Sequence, residues 1–222
     1  MKRPPISKLQ VAVDIVIFTI EDDELKTLLV KRVNEPFKDE WALPGGFVWE
    51  GENTLETAQR ILKEKTGVKD VFVEQLYTFD SLKRDPRGQI ISVAYFALLP
   101  IHVIKTQKSK HLPTLTPVKK APKLAFDHNQ ISKYATSRLR AKLSYTNVAY
   151  SLLPEKFTLT QLQKIYEIIL DKPQDKRNFR RKYQTLGLIK PTNTVQSGEK
   201  HRPAKLFKFT SREKIELPDK AF

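Results

Sequence analysis

A stretch that begins at Gly46 spaces its glycine, glutamate and arginine residues in a way that suits chemistry on a phosphate ester. Five residues separate Gly46 from Glu52, seven more precede Arg60, and Glu64 follows one helical turn later. Glutamates at positions i, i+3 and i+4 of a helix lie on one face. From that face they can hold divalent cations that bridge a diphosphate and help to activate water.

Two of the three helix positions carry no glutamate in this chain, because the i, i+3 and i+4 residues are Ile61, Glu64 and Lys65. An ammonium repels a cation by about 4 kcal/mol per unit charge product at roughly 4 Å and an effective dielectric constant near 20. We therefore predict no metal site, no cofactor and no catalytic residue here. The alternative is weak hydrolysis, with a metal held by Glu64, Glu52 and loop carboxylates.

The spacing resembles the Nudix box, G-x5-E-x7-R-E-U-x-E-E-x-G-U, in which U is apolar. The preceding WALPGG is also a common lead-in to that box. The positions that match are Gly46, Glu52, Arg60, Leu62, Glu64, Gly67 and Val68. The resemblance implies that the scaffold of a Nudix domain is retained while its chemistry is lost.

Strands and one helix must position this segment. Apolar and β-branched runs predict strands over 10–20, 25–33, 71–79 and 89–100. The helix at 54–66 has Asn53 as its N-cap, Glu56 as the capping-box partner and Gly67 as its end. An Asp-Pro-Arg-Gly turn at residues 85–88 lies between the last two strands. We predict an α+β domain with a mixed sheet over residues 1–125.

The remainder of the chain follows a helical rhythm. Residues 101–124 are rich in lysine and proline and predict an irregular connector. Asp127 then caps a connecting helix, assigned to 126–150, with an apolar residue at every fourth position from Ile131 to Leu143. Residues 151–222 contain two helices, at 158–170 and 176–187, followed by two short strands. Helix, turn, helix and hairpin in this order predict a winged helix.

The positive charge is concentrated in the second half of the chain. The net charge is +15, yet residues 1–100 hold 14 basic and 16 acidic side chains. This asymmetry indicates a near-neutral domain joined to one that meets a polyanion. There are no cysteines and no apolar run long enough to cross a bilayer. We therefore expect a cytoplasmic protein without disulfides or a membrane partner.

Several long motifs in order resemble the Nudix-related transcriptional regulators of the NrtR type. They are EPFKDEWALPGGFV, EQLYTFDSLKRDPRGQIISVAYFALLP, KLAFDH, LLPEKFTLTQLQKIYE, DKRNFRRK and HRPAKLFKF. The resemblance implies an effector-binding Nudix domain, a winged helix on double-stranded operator DNA, and a homodimer. Members of this family sense ADP-ribose to control NAD metabolism, or other effectors such as the sugar arabinose. This sequence departs from the family in the basic segment 101–120, where the resemblance would imply a more regular strand.

Arginine and glutamine side chains on the 176–187 helix can contact bases or phosphates in a major groove. A solvated basic face is the competing interpretation. Asn178 reads a base or simply caps the helix, and Thr160 at the start of the preceding helix can meet a phosphate. The predicted DNA-binding residues are Thr160, Lys176, Arg177, Asn178, Arg180, Arg181, Gln184, His201 and Arg202, the last two on the wing.

A nucleotide effector needs cations for its phosphates and an aromatic ring for its base. Arg84 and Arg87 flank the Asp-Pro turn and are the phosphate candidates, unless they belong to a plain surface turn. Trp41 can stack on a base or pack in the core. Glu52 and Glu64 can bind ribose hydroxyls in place of a metal, or Glu52 can hold its loop through Arg60.

Three function classes remain open. The leading one is a regulator in which the ligand, acting through the 127–145 helix, rotates paired wings away from their half-sites. The second is a pyrophosphohydrolase on ADP-ribose or a related nucleotide, for which Glu64→Gln would abolish metal-dependent turnover. The third is an RNA-binding adaptor, which would prefer single strands to duplex.

Overall fold

In the computed structural model, residues 8–68, 71–105, 113–195 and 204–217 are described. Within these ranges a seven-stranded sheet has helices on both faces, and a helical unit with a two-stranded wing follows it. The elements are β1 Gln10–Glu21, β2 Glu24–Lys31, β3 Trp41–Ala42, β4 Gly45–Phe47, α1 Thr54–Thr66, β5 Val73–Phe79, β6 Ile90–Leu98, α2 Ile101–Lys105, β7 Thr114–Pro117, α3 His128–Tyr145, α4 Leu159–Leu170, α5 Lys176–Thr185, β8 Ile189–Val195 and β9 Lys205–Phe209. The predicted α+β class is confirmed.

β1 lies at the centre of the sheet, and this position explains why its sequence is mostly apolar. It runs parallel to β6 and antiparallel to β2, in the order β3-β2-β1-β6-β5, while β4 pairs with β1 and β7 pairs with β2. Val13, Ile15 and Ile17 pack toward α1, whereas Val16 and Phe18 belong to the core beneath α3. Because both faces are covered, the strand is apolar from Val11 to Phe18 apart from Asp14.

Local cap chemistry fixes α1 as the sequence predicts. The Asn53 side-chain oxygen accepts hydrogen bonds from the backbone amides of Leu55 and Glu56, each at 3.0 Å. Glu56 returns a contact by accepting from the Asn53 amide at 2.8 Å. Gly67 ends the helix at φ +73°, a conformation that glycine adopts without a steric penalty.

Two expectations for the segment after the sheet were wrong. The connector is not wholly irregular, because β7 pairs with β2 in antiparallel register and α2 precedes it. Asp127 precedes α3 but makes no capping hydrogen bond with its side chain. Its carboxylate instead accepts two hydrogen bonds from Arg84, at 2.8 and 3.0 Å. A buried cation thus outcompetes the helix amides for this carboxylate.

α3 joins the two parts of the chain through one continuous core. Its predicted apolar positions, from Ile131 to Leu143, are fully buried. The cluster that contains them extends past Val148 to Phe157 and Leu162 in the winged helix unit.

Within the described part of the chain, no helix is long and apolar enough to cross a membrane. The division of the chain at residues 125 and 150 stays a prediction.

The winged helix unit is built from the predicted helices, with two corrections. Asp175, rather than Asn178, caps α5, since its carboxylate accepts from the Asn178 amide at 2.8 Å. The first of the two strands that were predicted to be short is longer than expected, because β8 continues to Val195 and pairs with β9. Phe179 and Tyr183 point inward from α5 as expected.

We expect Thr158→Ala to lower the free energy of unfolding by about 1 kcal/mol, since it removes half of a capping box. The Thr158 hydroxyl accepts from the Gln161 amide at 3.1 Å, and Gln161 accepts from the Thr158 amide at 2.8 Å. Urea unfolding measures the change. Thr158→Ser keeps the hydroxyl and should match the parent protein, and an equal loss in both variants would contradict the capping explanation.

Candidate effector cavity and nucleic-acid interface

A cavity of about 370 Å³ opens between the end of β2, the β3–β4 turn and the start of α3. Asp14 of β1 and His128 of α3 lie in its wall, with Phe126 beside them. Lys65 from the end of α1 and Arg87 from the loop before β6 complete the lining. The cavity therefore collects side chains from elements that are far apart in the sequence.

A buried polar network forms one wall. The Asp14 carboxylate accepts hydrogen bonds from Ser92 Oγ at 2.6 Å and Arg84 Nη2 at 3.2 Å, and His128 Nε2 lies 3.4 Å away. His128 Nδ1 accepts the Leu43 amide at 3.0 Å, so the ring presents its Nε2–H to Asp14. Burial alone would raise the pKa of Asp14, but His128, Ser92 and Arg84 outweigh burial and lower that pKa to about 2.

Only glycine fits at position 45 beside this network. A Cβ atom built there would lie 2.1 Å from Asp14 Oδ1 and 2.9 Å from the Val13 carbonyl oxygen. Gly45, the first glycine of the PGG sequence, therefore lets the β3–β4 turn approach the buried carboxylate.

Both arginines predicted for phosphate binding line the cavity, but each already has a carboxylate partner. Arg84 is buried between Asp14 and Asp127, which corrects the alternative of a plain surface turn. Arg87 donates to Asp85 at 2.6 and 2.9 Å, and its side chain is more than one third exposed. Arg84 thus orders the wall, whereas Arg87 has an open side toward the cavity.

Among the described residues, three cavity cations form no ion pair with a carboxylate: Arg32, Lys65 and the exposed Lys31 at the rim. Arg32 Nε donates to the Pro36 carbonyl at 2.8 Å, and its guanidinium stacks 4.6 Å from the centre of the Phe126 ring. Burial, and then repulsion from Arg87, lower the pKa of Arg32. An anion bound between Arg32 and Arg87 would relieve the repulsion between their two guanidinium groups.

Phe126, two residues before the start of α3, is held between two guanidinium groups. The Arg32 side chain lies over its ring, and the Arg87 guanidinium carbon is 5.5 Å from the ring centre. Its backbone has φ +55°, a region that aromatic residues rarely adopt. Rare backbone conformations of this kind are concentrated at ligand-binding sites, where the surrounding structure holds them in place.

Sequence reasoning missed Arg32, Phe126, Asp14 and His128. Each sits in or beside an element whose local pattern reports only a strand or a helix start. A usable signal was the single aspartate inside the otherwise apolar β1, because a charge within a central strand requires partners.

The other predicted effector residues lie outside the cavity lining. Trp41 packs against the core and its carbonyl accepts the Ala125 amide at 2.8 Å, so core packing is what the structure places there. Arg60 donates two hydrogen bonds to Glu52, at 2.8 and 2.9 Å, and stacks over Trp49. That hydrogen bonding to Arg60 lowers the pKa of Glu52 to about 2.

The residues at the positions where a complete Nudix box has metal-binding glutamates do not suit a divalent cation. Ile61 is buried in the core that covers one face of the sheet. Glu64 lies 3.5 Å from Arg60 Nη1, and Lys65 brings an ammonium into the cavity. Among the described residues, no group of three or more His, Cys, Asp or Glu side chains is placed to hold a metal. A divalent cation needs several oxygen ligands, so this donor set does not fit one.

A separate cationic surface lies on α5. Lys176, Arg177 and Arg181 project into solvent, while Phe179 and Tyr183 anchor the helix in the core. Together with neighbouring polar side chains they line a shallow concave surface. The helix therefore presents donors to solvent on the side opposite its core contacts.

Side-chain contacts order part of this surface. Arg181 Nη2 donates to Asn178 Oδ1 at 3.3 Å, so Asn178 supports an arginine. Arg180 Nη2 donates to Thr160 Oγ1 at 3.3 Å, which brings the start of α4 beside α5. Gln184 lines the same surface. The predicted wing residues His201 and Arg202 lie outside the described residues.

Comparisons with known proteins agree with both sites. The NUDIX domain family matches residues 8–138, and the NrtR DNA-binding winged helix domain matches residues 149–209. The chain is 41% identical over 203 residues to the ADPR responsive transcriptional repressor NtrR of Acinetobacter baylyi, covering 89% of this chain and 80% of that protein.

Solved structures extend the similarity to both halves. The crystal structure of Shewanella oneidensis NrtR with a 27mer DNA superposes with a TM-score of 0.81 at 38% identity, covering 90% of this chain and 93% of that one. The NUDIX domain of the same regulator, in complex with ADP ribose, superposes with a TM-score of 0.51 at 37% identity. That comparison covers 60% of this chain and 90% of the other. The chain therefore belongs to the NrtR family, with a Nudix domain followed by a DNA-binding winged helix domain.

Proposed function

We propose that this protein is an ADP-ribose-responsive transcriptional repressor. It binds operator DNA as a homodimer through α5 and the wing, and ADP-ribose in the Nudix cavity releases it. The observation that carries the proposal is a cavity lined by two cations that form no ion pair, Arg32 and Lys65, in a protein that also has an exposed cationic helix, α5. Repression and ADP-ribose binding by its relatives support the same assignment.

ADP-ribose suits the cavity better than a pentose such as arabinose does. A free pentose is uncharged and would leave the Arg32 guanidinium and the Lys65 ammonium without counterions. A diphosphate supplies acceptor oxygens to both, and Arg87 adds a partly exposed donor. The Phe126 ring, already flanked by guanidinium groups, gives a planar surface beside the phosphates.

The geometry does not favour the hydrolase alternative. Hydrolysis of a diphosphate in this scaffold would need helix carboxylates to hold a cation near the substrate. Ile61 is turned into the core, and Glu64 is 3.5 Å from an arginine nitrogen. We therefore propose a binding role for the cavity.

α3 gives a physical route from the cavity to the DNA. Phe126 and His128 in the cavity wall lie at its first turn, and Asp127 there is tied to Arg84. The other end of α3 shares a core with the winged helix unit. An effector that shifts Arg84 or Phe126 displaces the start of a rigid helix, which changes the spacing of two recognition helices in the dimer.

Selection of duplexes from a random-sequence pool at near-physiological salt, followed by titration with ADP-ribose, tests the proposal. We expect an enriched inverted repeat, and ADP-ribose should weaken its binding by at least about fivefold, since allosteric couplings are typically about 1–3 kcal/mol. Arabinose and AMP serve as matched ligands. An inverted repeat that resists ADP-ribose would overturn the effector assignment, and no enrichment would overturn the regulator assignment.

A further inference from the structure

We propose that the cavity binds the diphosphate of its effector without a metal ion, and that Lys65 and Arg32 take over the charge that a divalent cation supplies in a complete Nudix box. The inference rests on the proposed function and deepens it, because it names how the anionic part of the effector is recognised. The central residue of the inference is Lys65, which occupies a position where a complete box has a metal-binding glutamate.

The position of Lys65 carries the first step. It stands at the i+4 position of the helix turn at which the box has a glutamate, and it lines the cavity. The two glutamates that remain nearby do not reach the cavity lining, since Glu52 and Glu64 both contact Arg60. The sign of the charge that this face of α1 gives the cavity is therefore reversed.

The balance of charge in the cavity carries the second step. Five cationic side chains line it against three carboxylates, and Arg84 and Arg87 are committed to carboxylate partners. Arg32, Lys65 and the exposed Lys31 at the rim then remain against one further carboxylate, Glu35, so the lining keeps a net positive charge. A bound divalent cation would add to this positive excess, whereas a bare diphosphate compensates it.

Arg32 has the geometry of a prepared donor. Its Nε and Nη2 atoms donate to the carbonyls of Pro36 and Asn34, at 2.8 and 3.2 Å, and its plane rests on Phe126. These contacts fix the guanidinium without neutralising it. Lys65 makes no ion pair in the described part of the chain, so both charges are available to one ligand.

Titration calorimetry on the full chain tests this with ADP-ribose and inorganic pyrophosphate, each in excess EDTA and in Mg²⁺. We expect the parent affinity to agree within about twofold between the two conditions. Lys65→Gln should weaken both ligands by about 10- to 100-fold, the range for a hydrogen bond to a charged group. Lys65→Arg should keep most of the affinity. Lys63→Gln removes an exposed charge from the same helix and should bind like the parent.

Each outcome separates this inference from the proposed effector. Parent binding of ADP-ribose that requires Mg²⁺ overturns metal-free recognition, and Lys65→Gln binding like the parent overturns the role of Lys65; both outcomes leave the effector intact. Pyrophosphate binding that depends on Lys65, without any ADP-ribose binding, supports the cation pair and overturns the effector. Failure of the folded parent protein to bind either ligand overturns both.

Discussion

The Asp14→Asn variant will lose about 3 kcal/mol of unfolding free energy at neutral pH. Asp14 is the shared acceptor for Arg84, Ser92 and His128, and removing one partner of a buried ion pair costs about 3–5 kcal/mol. We expect the lower end of that range because Arg84 keeps Asp127 as a second carboxylate. Denaturant unfolding at pH 7 measures the loss.

The same variant will remove part of the acid sensitivity of the fold. Interactions with His128, Ser92 and Arg84 exceed the effect of burial, so the folded pKa of Asp14 is about 2 against an ordinary value of 3.8. A lowered folded pKa gives stability that is present above the unfolded pKa and is lost as pH falls toward the folded value. The difference corresponds to about 2 kcal/mol, lost between about pH 4 and pH 2.

An exposed aspartate provides the control for both measurements. Asp80→Asn removes a carboxylate from the surface near the same loop and should change neither the neutral stability nor the acid limb. The difference between parent and Asp14→Asn isolates Asp14, because Glu52, whose pKa Arg60 also lowers, is present in both proteins. An acid limb that is identical in the two would contradict the assignment of this carboxylate.

The features that sequence reasoning predicted well are local ones. Asn53 and Glu56 bracket the first turn of α1, and Gly67 ends the same helix. These residues lie within four positions of the atoms that they bond, so the sequence order alone reports the contact. The apolar stripe of α3 was predictable for the same reason.

The features that it missed depend on distant partners. β7 forms because β2 offers an open edge, and nothing in Thr114–Pro117 announces that edge. Arg84 is buried because Asp14 and Asp127, 70 and 43 positions away, meet at its guanidinium. Arg32 faces the cavity because β3 and the start of α3 fold over the end of β2. Long-range burial of this kind has no periodic signature in one sequence.

The two sites differ in how much structure their charges need. The α5 cations are exposed, and the sequence order of a helix face places them correctly. The cavity cations come together only when the first four strands, α1 and the start of α3 converge, and two of the five, Arg84 and Arg87, are paired with carboxylates. A basic helix face can therefore be predicted from sequence alone. The charged residues that a binding cavity leaves available for a ligand can be identified only from the structure, once its ion pairs are assigned.

The Arg177→Ala and Arg181→Ala double variant will lose at least about 30-fold in affinity for the selected inverted repeat. Both side chains are exposed on α5, and Arg181 is oriented by Asn178 at 3.3 Å. A bidentate arginine contact to a base edge contributes about 1–3 kcal/mol of discrimination, and about 1.4 kcal/mol is tenfold. Fluorescence anisotropy with the repeat and with a scrambled duplex measures both losses.

The comparison between duplexes decides what the arginines contact. If they read bases, the loss on the repeat exceeds the loss on the scrambled duplex. If they meet phosphates, the two losses are equal and the slope of log affinity against log salt falls by about 0.9 for each contact removed. Lys63→Ala with Lys123→Ala removes the same charge from exposed sites outside the winged helix and should leave the repeat bound as tightly as before. Equal weakening by this control would reduce the role of α5 to net charge, because steering by overall charge does not depend on which lysine or arginine is lost.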